Sequence, residues 1–205
     1  ILIIIIFIKS YLLFIEKSQF LGERGKMKKT LRFLFLTIFT VSISYSQVVI
    51  NEIMYNPSYS GGTSDDGEYV ELFNAGQSAV DLSGYKLSDA IDFTFPSGAT
   101  IAAGSYLVVG RDSVRFKEDN GFDPHFDWGG NSGGGNLSNS TETVKLLDGS
   151  DATVDEVTYD DGLGGDDNGP SLELKDFAKD NASAETSTGN WGESSGKGSP
   201  NAINT

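Results

Sequence analysis

From Gln47 onward, short apolar or alternating runs are separated by Gly, Asn, Asp, Ser and Pro, which is the pattern of strands joined by turns. Val48 to Tyr55 reads as the first strand. Glu68 to Phe73 alternates, so Tyr69, Glu71 and Phe73 share one face and Val70 and Leu72 the other. Further strands are expected at Tyr85 to Ser88, Ile91 to Phe95, Tyr106 to Val109, Thr143 to Leu147, Val154 to Tyr159 and Ser171 to Leu174. Asp81-Leu82-Ser83-Gly84, Pro96-Ser97-Gly98 and Ala103-Gly104-Ser105 carry turn residues. Asp112 to Glu118 has room for one or two helical turns, and no segment shows a longer helical period. Strands without helices between them predict an all-β fold, an antiparallel sandwich or barrel. Trp128 to Ser140, with its many glycines, reads as a long exposed loop. Asn181 to Thr205 reads as an edge segment running into a linker, with Trp191 as its large anchor.

Upstream of these strands the pattern changes. After Met27, the first methionine, come Lys28, Lys29 and Arg32, and then the apolar stretch Leu31 to Ile43. Ser44-Tyr45-Ser46 supplies small residues for cleavage, with Gln47 as the expected mature start. The apolar stretch is shorter than the ~20 residues that span a bilayer. Ile1 to Ile8 is apolar, but Lys9, Glu16 and Lys17 interrupt the run before it reaches spanning length. The expected organisation is therefore an untranslated upstream or membrane segment at 1–26, a signal peptide at 27–46, one β-domain at 47–201, and a linker or truncated end at 202–205. The expected location is outside the cell, at the cell surface or in the periplasm, with no membrane segment in the mature domain.

Charge sharpens this picture. Removing the leader leaves 8 basic and 27 acidic groups, a net charge of −19. A field of that sign repels phosphates and anionic membrane surfaces, so nucleic acid is not an expected partner. The chain has no cysteine, so an exported domain would rely on its apolar core or on bound ions.

Several segments together suggest a family. They are Ile50-Asn51-Glu52-Ile53-Met54-Tyr55-Asn56-Pro57, Glu68-Tyr69-Val70-Glu71-Leu72-Phe73-Asn74 and Val80-Asp81-Leu82-Ser83-Gly84-Tyr85-Lys86-Leu87-Ser88-Asp89. Phe93-Thr94-Phe95-Pro96, Ile101 to Val109, Leu137-Ser138-Asn139, Glu142 to Asp148, Val154 to Tyr159 and Ser171 to Leu174 come after them in order. In this order, from Val48 to Asn201, the chain resembles the bacterial form of the lamin-tail domain. The resemblance implies an immunoglobulin-like β-sandwich without catalytic residues. Such domains sit on exported proteins, so the expected partners are proteins or surface polymers. A catalytic or sorting domain on the same chain is a further candidate partner. The alternatives are an accessory domain of a larger secreted nuclease or hydrolase, or a carbohydrate-binding module.

Beside that resemblance stand the side chains that carry chemistry. The single histidine, His125, comes after Asp123-Pro124 in a turn-like setting. It has no nucleophile elbow to serve, and alone it cannot make a usual zinc set. Calcium takes oxygen ligands from flexible acidic loops. The favoured reading of both acidic clusters is a solvated turn; the candidate calcium ligands are Asp160, Asp161, Asp166 and Asp167, ahead of Asp65-Asp66-Gly67-Glu68. Trp128 is the expected ligand-binding aromatic, whereas Tyr69, Phe73, Tyr85, Phe93, Phe95 and Tyr106 are expected in the core. Glu52 and Glu71, within strands, are either outward-facing or buried and paired with loop backbone.

Overall fold

Strand β1 (Val48–Met54) is buried along its whole length, as befits seven residues of mostly apolar, strand-favouring character. The computed structural model describes residues 48–57, 64–129, 133–165, 169–179 and 189–205, all within the compact unit Ser44–Thr205. The expected leader and everything before it lie outside the described residues.

Strand β1 pairs antiparallel with β2 (Tyr69–Asn74), from Val48 opposite Asn74 to Met54 opposite Tyr69. The register shifts between Ile50 and Glu52. This β-bulge places an extra residue, Asn51, in β1 and re-aims the side chains beyond it. Before it, Ile50 shares a face with Leu72; after it, Ile53 shares that face with Val70. One extra residue therefore keeps β1 facing the core at both ends and turns Glu52 outward beside Glu71.

The chain continues through β3 (Val80–Asp81), β4 (Lys86–Asp89), β5 (Phe93–Thr94), β6 (Thr100–Ile101) and β7 (Tyr106–Gly110). After helix α1 (Ser113–Asn120) come β8 (Phe126–Asp127), β9 (Thr141–Leu147), β10 (Thr153–Asp160), β11 (Leu172–Leu174) and β12 (Trp191–Glu193). Three sheets result, ordered β12-β11-β1-β2-β7-β8, β10-β9-β4-β5 and β3-β6. Every pairing is antiparallel except β7 with β8, which is parallel. The two larger sheets enclose one core, in which Ile50, Ile53, Val70 and Leu72 meet Leu87, Val144, Leu146 and Val157. This is the immunoglobulin-like β-sandwich expected from the strand pattern and the resemblance. The short strands β3, β6 and β8 were not expected, since two residues are too few to show a period; β12 falls in the edge segment expected around Trp191 and lies at the edge of its sheet.

Helix α1 covers part of the outer face of the six-stranded sheet. Asp112 caps its start by accepting from Arg115 N at 2.8 Å. Gly121 ends it in the left-handed conformation, at φ 81°, which glycine adopts at low cost. Phe116 is its one buried residue, with its ring edge-on to Tyr69 at 5.4 Å and to Phe122 at 5.3 Å. With Met54 and Val108 they form a second, smaller apolar cluster. The six-stranded sheet is thus covered on both faces near its centre. No helix among the described residues is long and apolar enough to cross a membrane.

Candidate functional site: a carboxyl row beneath the C-terminal segment

The register of β11, β1 and β2 sets three glutamates side by side. Glu173 lies opposite Glu52, and Glu52 lies opposite Glu71. Directly opposed residues on adjacent strands have their Cβ atoms about 5 Å apart. All three are buried, at 2 %, 0 % and 0 % exposure. Of the two readings of Glu52 and Glu71, the buried and paired one is correct.

The segment after β12 buries them. Glu52 Oε1 accepts from Tyr69 Oη at 2.6 Å, Ser171 Oγ at 2.5 Å and Ser199 N at 2.9 Å. Glu71 accepts from Asn51 Nδ2 at 2.9 Å and Asn201 N at 2.5 Å. Glu173 accepts from Ser199 Oγ at 2.8 Å and Thr205 N at 2.7 Å. The Asn204 side chain donates to Leu174 O at 2.7 Å and Asn51 O at 3.1 Å, and accepts from Asn51 Nδ2. Within residues 202–205, expected as a linker or truncated end, Asn204 and Thr205 bond to the sheet while Ala202 and Ile203 stay exposed; the two bonded residues satisfy acceptors and donors that burial would otherwise leave open. Gly198 makes the close approach possible. It has φ 91°, and a Cβ there would lie 2.5 Å from Glu52 Oε1 and overlap the Tyr69 hydroxyl.

Burial dominates the electrostatics of the row. It raises Glu71 to about 8, aided by the charges of Glu52 and Glu173 and opposed by the donors Asn201 and Asn51. Burial likewise raises Glu52 against the hydrogen bonds from Ser171, Tyr69 and Ser199. It also holds the Tyr69 hydroxyl well above its ordinary value, so that group stays a donor.

A second buried carboxyl stands at the start of β2. Glu68 Oε2 accepts from Leu137 N at 3.0 Å and lies 3.9 Å from Arg111 Nε. Burial raises it to about 8, and the Arg111 charge opposes the shift. Arg111 also bonds Asp66 at 2.6 Å and Asn136 at 3.0 Å, and Asn136 bonds Asp65 at 2.8 Å. A guanidinium therefore occupies the cation position in the Asp65-Asp66-Gly67-Glu68 cluster. Asp155, also buried, ties the sheets together by accepting from Ile50 N at 2.6 Å and Glu156 N at 2.8 Å.

The residues expected to bind calcium are only partly described. Asp160 ends β10 and caps a short 3-10 turn, accepting from Gly162 N at 2.9 Å and Thr141 Oγ1 at 3.2 Å. Asp161 is exposed in that turn, and Asp166 and Asp167 lie outside the described residues. Among the described residues, no group of three or more His, Cys, Asp or Glu side chains is placed to hold a metal ion.

Trp128 is not a surface aromatic. It is 5 % exposed, belongs to the core and donates from Nε1 to Gly135 O at 3.2 Å. Gly134 lies so close that a Cβ there would stand 2.8 Å from its ring. That burial leaves no face for sugar stacking and corrects the expected role. The sequence places Trp128 beside glycines, and glycines that admit a close approach read the same as glycines of an open loop. Tyr69 and Phe95 are buried as expected. Phe73, however, lies at the rim, 4.8 Å from the Tyr106 ring and 5.3 Å from the exposed Phe177 ring.

His125 serves the backbone. Its Nδ1 accepts from Val108 N at 3.0 Å, and its own N–H donates to Val108 O at 3.0 Å. Burial lowers its pKa and so favours the neutral ring that this acceptance requires.

The model of the Lamin Tail Domain family matches residues 42–161, more than half of the chain. The chain belongs to the lamin tail domain family. The match runs through β10 and stops just before the third carboxyl, so β11, β12 and the segment over the row lie beyond it. In this lamin tail domain Glu52 and Glu71 fall inside the matched span, while Glu173 and its donors fall outside. No curated protein matches the chain. Among solved structures it is similar to a DUF4876 family protein from Bacteroides thetaiotaomicron VPI-5482, at 11 % identity and a TM-score of 0.49. That likeness covers 65 % of this chain and 63 % of the other, so it spans less than two thirds of that protein.

Proposed function

We propose that this lamin tail domain is a non-catalytic exported module that acts through protein contacts, in adhesion or positioning at the cell surface. The observation that carries the non-catalytic part is how the perturbed carboxyls are used. Displaced pKa values mark both catalytic groups and structural networks. Glu52, Glu68 and Glu71 each hold a backbone N–H, from Ser199, Leu137 and Asn201 respectively. A carboxyl that is buried and held by a main-chain N–H in this way serves as a structural acceptor. Export is supported by the basic and apolar leader after Met27 and by the acidic mature chain.

Expression of the full chain in a bacterial host tests the reading. The expected product lies outside the cytoplasm with Gln47 as its first residue, and surface cross-linking captures it on defined proteins. An uncleaved product in the cytoplasm would overturn the export reading. Release of product from a secreted polymer substrate by the purified chain would overturn the non-catalytic one.

A further inference from the structure

The three glutamates of the row offer six carboxyl oxygens. Five accept at least one donor, and the sixth, Glu52 Oε2, is buried with none. Among the described residues, none of the three takes part in an ion pair with Lys, Arg or His. From β2 the row faces Tyr69, and from β7 the Tyr106 hydroxyl feels the charge of Glu71. The β11 side contributes Ser171, and the C-terminal segment contributes Ser199, Asn201, Asn204 and Thr205. The nearest lysines in sequence do not compensate the row: Lys197 is exposed, and Lys175 points its Nζ at Gly189 O. Three like charges in adjacent register, desolvated and without a counter-charge, cannot all persist. A bound proton removes one charge, and a neutral carboxyl costs less to bury than a carboxylate; Glu52 Oε2, where no donor competes, is the position open to it.

We infer that the row holds a proton, seated on Glu52 Oε2, and that its loss loosens Ser194–Thr205 from the sheet. The segment is then a proton-linked clasp. Its donors, Ser199 N, Asn201 N and Thr205 N, come from one short stretch, so repulsion among the carboxyls acts on all of them together. Raised carboxyl pKa values fix the direction. Stability from such a group is full below the unfolded value, 4.5, and declines as pH rises through the folded one, about 8 for Glu71. The clasp is therefore closed in mild acid and opens toward alkaline pH. Coupled groups share such a titration, so the midpoint belongs to the row and not to one residue.

Amide hydrogen exchange of the full chain, read by mass spectrometry, tests this. Rates at about pH 6 and pH 9 are each divided by the intrinsic rate at that pH. Protection of 194–205 is expected to fall about a hundredfold, tenfold for each pH unit between 6 and the midpoint near 8, to a level well below that of β9 and β10, which exchange only on global unfolding. Glu52→Gln, which cannot ionise, is expected to retain the clasp's protection at the higher pH. Unchanged protection of 194–205, or protection at pH 9 no lower than that of β9 and β10, overturns the inference. Equal loosening of Glu52→Gln and the unsubstituted chain overturns Glu52 as the seat. Should that variant fail to fold, a carboxyl carbon titration of the unsubstituted chain decides. A midpoint above 7 at Glu52 or Glu71 supports the proton, and midpoints below 6 at both exclude it.

Discussion

At the scale of single residues, the seating of the segment after β12 over the carboxyl row depends on one glycine. Gly198 has φ 91° and stands where a methyl group would meet Glu52, Tyr69 and Ser171. Gly198→Ala is expected to cost about 3 kcal/mol, from the strained backbone and the overlap together. In a chain of this size that lowers the melting temperature by about 10 °C. A calorimetric shift of less than about 2 °C would mean that the segment is not seated as described. Nothing in the sequence around Gly198 (Gly196-Lys197-Gly198-Ser199) separates it from the glycines of a flexible tail. The burial of Glu52 and Glu71 was legible only as one of two readings, because a period of two gives the face but not its cover. Trp128 misled for a related reason, since its core partners come from distant strands.

At the scale of elements, the strands were legible and their ends were not. Tyr69–Asn74 and Thr153–Asp160 fall within a residue or so of their expected positions, because a half-buried strand writes its period into the sequence. The bulge at Asn51 did not show, as one inserted residue only makes β1 look apolar throughout. Helix α1 was anticipated at Asp112 to Glu118 and runs from Ser113 to Asn120. Its start rests on the Asp112 cap, so Asp112→Ala should cost about 1 kcal/mol, or about 3 °C in thermal unfolding. A variant that melts with the unsubstituted chain would show that tertiary contacts of Phe116 alone hold the helix. Parallel β8 was outside reach, because its two residues pair with β7 across the intervening helix.

At the scale of the whole molecule, three buried glutamates with raised pKa values tilt stability toward acid. Glu68 and Glu71, both raised to about 8, bind protons more tightly folded than unfolded. Stability should therefore fall as pH rises from 4.5 to 8, and the melting temperature at about pH 6 should exceed that at pH 9 by several degrees. His125 acts in the other direction. Its pKa is lowered by burial, so stability is lost as pH falls below the unfolded value of 6.5. One histidine against several glutamates leaves the alkaline decline as the larger effect.

The family match ends at Asp161, yet the six-stranded sheet is completed by β11 and β12, and its outer face by the residues after them. The most direct test of that architecture is thermal unfolding of the chain with Ser199–Thr205 removed, beside the intact chain at the same pH. Deletion removes four hydrogen bonds to the row, from Ser199 N, Ser199 Oγ, Asn201 N and Thr205 N, each worth about 0.5–1.5 kcal/mol net once water reaches the uncovered oxygens. The melting temperature is expected to drop by about 10 °C or more. A shortened chain that melts with the intact one would contradict the account and make the segment the linker its composition suggested.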